Sequence, residues 1–169
     1  MSMQMKFGGE FALMREHLEA AFARSNAPLK WGSMPTEPEL YVLLADAAAE
    51  QRDESALREF APVLQELATR NGHKLYEAVA HRAWGVAHTI AGEYAQAQAR
   101  LEQALTLLRG IDARWQIGRT LYEFGDLASR RGDLPSARTY FSQALAHYVE
   151  LRAAPYVERT RSRLALMEQ

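Results

Sequence analysis

Apolar residues recur every three or four positions through most of the chain, the spacing that places them on one face of an α-helix. Two segments show the pattern most clearly, residues 83–105 (AWGVAHTIAGEYAQAQARLEQAL) and residues 123–145 (EFGDLASRRGDLPSARTYFSQAL). At one constant offset they align without a gap, Gly85 with Gly125, Gly92 with Gly132, Ala97 with Ala137, and Leu101 with Phe141. The chain therefore contains an internal repeat with a period of about 40 residues.

Each repeated unit predicts two helices joined by a tight turn. Gly92 and Gly132 lie where the first helix should stop, because glycine adopts the left-handed conformation of a helix C-terminus at little cost. Acidic Glu93 and Asp133 follow, where the positive end of the next helix favours negative charge. A glycine inside a helix is costly, so Gly85 and Gly125 indicate close approach of a neighbouring helix.

These residues resemble the tetratricopeptide repeat, whose consensus has a small residue, a glycine, an alanine, a large apolar residue and an alanine in this order. Gly85, Gly92, Ala97, Leu101 and Ala104 follow that order, and so do Gly125, Gly132, Ala137, Phe141 and Ala144. The period is longer than the family's usual value of about 34 residues. The resemblance implies an all-α, right-handed superhelix, an α-α solenoid that binds other molecules rather than catalysing a reaction.

Weaker copies of the pattern flank the two clear units, so a single domain over residues 1–169 is expected. It would contain an N-terminal helix at 9–25, a weak repeat at 37–72, repeats at 73–111 and 112–153, and a capping helix at 155–168. The weak repeat lacks the turn glycine, although a capping box of Thr36 and Glu39 opens it. About three hairpins, seven or eight helices in all and no sheet are predicted, around a core of Leu44, Phe60, Leu64, Trp84, Leu101, Leu105, Phe124, Phe141 and Leu145.

Residues 115–164 are similar to the C-terminal repeats of bacterial MalT-like and LuxR-type ATP-dependent transcription regulators and of multidomain adenylate cyclases. That similarity implies a regulatory or scaffolding role in bacterial signalling or transcription control. The sequence shows no nucleotide loop, cyclase domain or evident DNA-binding motif. Whether the chain is complete or belongs to a larger regulator stays open.

Composition narrows the function classes. Twenty basic and 21 acidic residues give a net charge of −1, which does not favour nucleic acid or an anionic membrane as partner. There is no cysteine, which excludes disulfides and thiolate chemistry and suits the cytoplasm, the expected location. No segment reaches the roughly 20 apolar residues of a membrane span.

Candidate chemistry for an enzyme is sparse. His81 and His88 share a helix face, but seven residues separate them by about 10.5 Å of helical rise, too far for one metal ion. Packing at the core edge is the simpler interpretation for both. No phosphate-binding loop or nucleophile elbow is present. We therefore expect no catalytic residues, no cofactor and no metal.

The first helix of each hairpin lines the concave groove in this repeat type, which implies a partner-binding surface. Carried over by the family's register, its residues are Val79, Arg82, Val86, Thr89 and Ile90, then Arg119, Tyr122, Asp126, Ser129 and Arg130, with Arg159, Ser162 and Tyr41 from the flanking helices. The arginines could hold a carboxylate or an acidic peptide through forked hydrogen bonds. Equally, they could pair with Glu123 and Asp126 and serve solubility alone.

Three functions follow as hypotheses. The first is a non-enzymatic module that binds a protein or peptide, with nucleic acid an improbable partner. The second is a sensor for a small-molecule effector, which requires an enclosed pocket with convergent polar groups. The third is a homo-oligomerisation module, which requires an apolar patch away from the groove.

Overall fold

The computed structural model describes residues 37–167, which form seven helices and no strand. The predicted helix at 9–25 and Thr36 of the capping box lie outside these residues. The helices are α1 (Glu37–Gln51), α2 (Glu54–Asn71), α3 (Lys74–Ala91), α4 (Tyr94–Gly110), α5 (Arg114–Arg130), α6 (Leu134–Glu150) and α7 (Ala154–Ala165). Successive helices pack against each other in pairs, α1 with α2, α3 with α4 and α5 with α6. The fold is an all-α solenoid.

The odd-numbered helices form one layer of the solenoid. Helix α1 packs on α3, and α3 packs on α5, whereas the even-numbered helices each lie outside their own hairpin partner. We call the odd-numbered helices the inner helices and their free side the concave face. Within the described range, no helix has the length and hydropathy required to cross a membrane.

Left-handed backbone conformations mark the turns at regular intervals. Within each hairpin the positive φ falls on Arg52 (56°), Gly92 (78°) and Gly132 (78°), each one repeat period after the last. Between hairpins it falls on Gly72, Asp112 and Arg152, which have the same spacing. Arg52 thus occupies the place of the turn glycine that the first unit lacks. The unit turns in the same way although a side chain makes that conformation less favourable.

Acidic side chains cap the starts of two helices, and one of them, Asp133, was predicted at that position. The side chain of Asp133 accepts a hydrogen bond from the backbone N–H of Ser136 at 3.1 Å, and Asp53 does the same for Ala56 at 3.0 Å. Pro135 lies in the first turn of α6, where its missing N–H removes no helical hydrogen bond. Glu93 makes no such cap, and its carboxylate instead contacts side chains of neighbouring helices.

The inner and outer helices approach most closely at the two helical glycines. A Cβ atom built on Gly85 would lie 2.6 Å from Leu101, and one on Gly125 would lie 2.7 Å from the ring of Phe141. Real Cβ atoms do not approach other heavy atoms that closely, so only glycine fits without a shift of its neighbours. The packing role predicted for both glycines is confirmed.

Two members of the predicted core are only half-buried. Trp84 packs against the core from its edge, because its indole N–H donates to the side chain of Gln65 at 3.1 Å near the surface. Leu145 lies beside the buried face of α6 and not on it. That face is formed by residues three and four positions apart, Ala137, Phe141, Ala144 and Tyr148. Tyr148, absent from the predicted core, is almost fully buried. The other seven predicted core residues are buried.

Candidate functional site

The concave face contains a network of ion pairs that begins at Asp46 on α1. One carboxylate oxygen of Asp46 accepts from Nη2 of Arg82 on α3 at 2.8 Å, and the other accepts from Arg119 on α5. Arg82 also donates to the side-chain oxygen of Gln116 at 2.5 Å, and its side chain is only 3% exposed. Asp46 therefore joins three inner helices.

The electrostatics of this first group favour the ionised carboxylate. Burial opposes ionisation of Asp46, but the guanidinium groups of Arg119 and Arg82 outweigh it and hold its pKa below the ordinary value. Arginine stays protonated at any pH a protein tolerates, so all three groups are charged. A buried charge is acceptable here because each one has an opposite charge within hydrogen-bond distance.

Glu50, one helical turn after Asp46, extends the network to the last helix. Its carboxylate accepts from Arg119 at 3.4 Å and from Arg159 on α7. The guanidinium of Arg159 also lies over the ring of Tyr122, 4.3 Å from its centroid, a cation–π contact. Residues 109 positions apart in the chain are thus in direct contact.

A third group of ion pairs surrounds Asp126 on α5. Arg130 and Arg163 each donate to Asp126 at 3.0 Å, and Arg52, from the first turn, lies 3.9 Å away. Arg52 donates mainly to Glu123, at 2.6 Å. Pairing with Glu123 and Asp126 was one of the two interpretations of the groove arginines. The structure shows this pairing, and it also shows pairs with Asp46 and Glu50 on α1.

The network has more guanidinium groups than carboxylates. Among residues 37–167 it joins six arginines (Arg52, Arg82, Arg119, Arg130, Arg159 and Arg163) to four carboxylates (Asp46, Glu50, Glu123 and Asp126), an excess of two positive charges. The buried Nε atoms of Arg159 and Arg163 have no hydrogen-bond partner within that range. Both of these unpaired guanidinium nitrogens belong to α7.

The structure brings most of the predicted groove residues together, at very different depths. Arg82, Val86, Thr89, Arg119, Tyr122 and Asp126 are buried. Tyr41 and Arg159 are half-buried, and Arg130 and Ser162 are exposed. Val79 is buried as well, whereas Ser129 and Ile90 are half-buried. The accessible part of the set lies on α7 and at the end of α5.

Five members of the network were not among the predicted groove residues: Asp46, Glu50, Arg52, Glu123 and Arg163. A signal for two of them was present, because Asp46 lies one repeat period before Val86, and Glu50 lies one period before Ile90. Applying the repeat register to the first unit selects both. Arg52 aligns with the turn glycines and Arg163 aligns with Glu123, so neither belongs to the groove positions of the register.

Chemistry other than ion pairing has little support on this face. Within the described part of the chain, no three His, Asp or Glu side chains are grouped as metal ligands. His81 and His88, the two histidines considered for a site, lie away from the network. Nδ1 of His81 faces the guanidinium of Arg100 at 3.0 Å, and the ring of His88 stacks on Trp84.

Residues 76–150 match the tetratricopeptide repeat family. Repeats of this family generally mediate protein–protein interactions, and the family is generally non-enzymatic. Among curated proteins, none matches the sequence significantly. The matched range begins in α3 and ends with α6, so it covers the two hairpins that contain Gly85 and Gly125.

Proposed function

We propose that this tetratricopeptide repeat chain is a non-enzymatic module that binds an acidic protein or peptide segment at the α7 end of its concave face. The observation that supports it is that the three most exposed arginines of the network lie there. The side chains of Arg130, Arg159 and Arg163 are 41%, 36% and 35% exposed, so a partner can reach them.

Carboxylates are the natural partners of these arginines. A guanidinium group offers five N–H donors in a planar fork, and the contacts with Glu50 and Asp126 use only some of them. The ring of Tyr122 beneath Arg159 adds an aromatic surface. An extended acidic segment could therefore bind along α7 without breaking the deeper pairs of Arg82 and Arg119.

An effector-sensing function has less support. Two cavities among the described residues, about 250 and 400 Å³ in volume, both lie away from the ion-pair network. The larger is a shallow depression on α7 beside exposed Val149 and Arg152. Enclosed pockets with convergent polar groups are the usual sites for small molecules.

Self-association is the second candidate, because apolar side chains are exposed near the end of the stack. Val149, Leu151 and Leu166 are all exposed, and α7 has no outer helix among residues 37–167 to cover it. Multi-angle light scattering tests this directly. A monomer at all concentrations would eliminate self-association, whereas a dimer that Val149→Asp dissociates would support it.

The proposal includes a regulatory or scaffolding role in the bacterial cytoplasm. The similarity of residues 115–164 to repeats of bacterial transcription regulators supports the role. The absence of cysteine is compatible with the location.

Selection from a random displayed peptide library tests the proposed binding surface. Peptides rich in Asp and Glu should be enriched on the wild-type protein, and Arg163→Gln should weaken their binding roughly tenfold. Arg161→Gln is the matched control, since it removes the same charge from a different face of α7. Selection of no acidic peptides, or equal loss in both variants, would contradict the proposal.

A further inference from the structure

A cavity of about 250 Å³ lies on the outer side of the third hairpin, between the end of α5, the start of α6 and helix α4. None of its lining residues belongs to the ion-pair network on the concave face. The lining residues are Gln98, Phe124, Leu127, Ala128, Arg131, Asp133, Ser136 and Tyr140. We call this space the outer cavity.

The equivalent place in the second hairpin is filled by the protein's own side chains. One repeat period before Phe124, Ala128 and Asp133 stand Trp84, His88 and Glu93. The imidazole of His88 stacks on Trp84 with a centroid distance of 5.7 Å and an interplanar angle of 22°. Its Nδ1 lies 2.5 Å from a carboxylate oxygen of Glu93.

The cationic neighbours of that imidazole also have equivalents in the third hairpin. Arg58, which donates to Glu93 at 3.1 Å, aligns with Gln98. Arg100, 5.7 Å from the centroid of Trp84, aligns with Tyr140, which stacks on Phe124 at 5.0 Å. The two hairpins thus share the aromatic floor and the carboxylate, and in the third the imidazole is replaced by the methyl group of Ala128.

The size of the outer cavity suits a side chain. Its volume is several times the roughly 30 Å³ that a water molecule occupies. It is slightly below the range of about 300–1,000 Å³ typical of small-molecule pockets. The second hairpin shows which side chain a niche of this shape accommodates.

We propose that the outer cavity is a second binding site that receives a histidine side chain of a partner protein. The imidazole stacks on Phe124 beside Ala128 and donates a hydrogen bond to Asp133, as His88 does with Trp84 and Glu93. Asp133 already accepts the N–H of Ser136 at 3.1 Å, but an ionised carboxylate accepts about four hydrogen bonds.

The charges that line the cavity do not favour the more basic side chains over imidazole. Arg131 lines the cavity and donates to Gln98 at 2.9 Å, so its positive charge is fixed beside the opening. It offsets the negative charge of Asp133, which lines the same cavity. Imidazole is largely neutral above its ordinary pKa of about 6.5, so at neutral pH it requires no further counter-charge there.

Titration of the full chain with 4-methylimidazole, followed by two-dimensional NMR at pH 8.5, where the probe is largely neutral, tests the proposal. We expect the amide chemical shifts of Leu127, Ala128 and Ser136 to change and to saturate at millimolar concentrations of 4-methylimidazole. Ala128→His should abolish them, because the chain's own imidazole then fills the cavity. Ala146→His, on the exposed face of α6, is the matched control and should leave them unchanged.

Asp133→Ser provides a second variant, which keeps a capping oxygen for α6 and removes the carboxylate. It should weaken 4-methylimidazole binding several-fold while the protein stays folded. Absence of saturable shifts in the wild-type protein, or equal shifts in wild type and both cavity variants, would overturn the proposal. Arg163→Gln should not affect this titration, so the result is independent of the concave face.

Discussion

Helix α5 is buried on two opposite sides by two different kinds of interaction. Toward α6 it packs Gly125 against Phe141, and α3 packs Gly85 against Leu101 in the same way. Toward the concave face it presents Arg119 and other charged residues. The packing side is thus the same in both hairpins. On the concave side, the charged residues do not recur in the neighbouring repeat. Tyr122 aligns with Arg82, Val79 with Arg119, and Val86 with Asp126.

The difference shows what determines each side. Packing between the two helices of a hairpin depends on residues that lie within one repeat of each other, so each unit reproduces it. In the concave network Arg130 and Asp126 are only four residues apart, but the pairs that join α1 to α5 and α7 connect residues 69, 73 and 109 positions apart, and each of these occurs once. Local pattern therefore determines the packing side, and the assembled solenoid determines the concave side.

The largest effect should come from filling the close approach between α5 and α6. Gly125→Leu places a side chain where even a Cβ atom would lie 2.7 Å from Phe141, so we expect a loss of about 3 kcal/mol or more. Urea unfolding followed by circular dichroism measures it. Gly110→Ala, where a Cβ atom meets nothing within 4 Å, should be neutral or slightly stabilising. A Gly125→Leu protein as stable as wild type would contradict the packing argument.

Removal of the carboxylate shared by two buried arginines should have the next largest effect. Asp46→Ala leaves Arg82 and Arg119 without their common partner, and loss of one side of a buried pair costs about 3 kcal/mol. The free energy of unfolding from urea titration is again the measurement. A change no larger than that of an exposed ion pair, below about 0.5 kcal/mol, would mean that the concave network contributes little to the fold.

A smaller effect should appear as a pH dependence that originates in His81. Burial, and then the charge of Arg100, lower the pKa of His81. The unfolded chain therefore binds a proton more readily than the folded one, so stability falls as the pH drops below about 6.5. Comparison of thermal unfolding at pH 7.5 and 5.5 should show a flatter dependence in His81→Gln. Identical slopes in both proteins would exclude His81 as the source.

The smallest effect should come from an ion pair on the surface. Arg70 donates to Glu66 at 2.6 Å, but their side chains are 63% and 71% exposed. Because solvent screens such a pair, Glu66→Ala should change stability by less than about 0.5 kcal/mol. This variant also serves as the control for Asp46→Ala. Similar losses in the two variants would show that burial does not distinguish the concave pairs.

Much of the fold could be predicted because each hairpin is encoded by nearby residues. The repeat register locates Gly92 and Gly132 at turns, and both adopt positive φ there. The first hairpin is harder to recognise, since Arg52 adopts the same conformation with no glycine to signal it. The burial of Trp84 was overestimated because its indole N–H needs a polar partner, which Gln65 provides near the surface.

Less of the candidate site could be predicted from the sequence. The register places Asp46 and Glu50 at groove positions, so their location on the concave face could have been found. The partners Arg119 and Arg159 could not have been predicted, because both contact α1 from helices that do not neighbour it in the stack. Which side chains meet depends on how tightly the solenoid coils, and the local periodicity of the sequence does not specify the degree of coiling.

A double-mutant cycle of Asp46→Ala and Arg119→Ala tests most directly whether the concave ion pairs link helices that do not neighbour each other in the stack. Unfolding free energies of the wild type, the two single variants and the double variant give the coupling between α1 and α5. We predict a coupling of more than about 1 kcal/mol, within the range for residues in direct contact. Losses that add within about 0.3 kcal/mol would contradict the account.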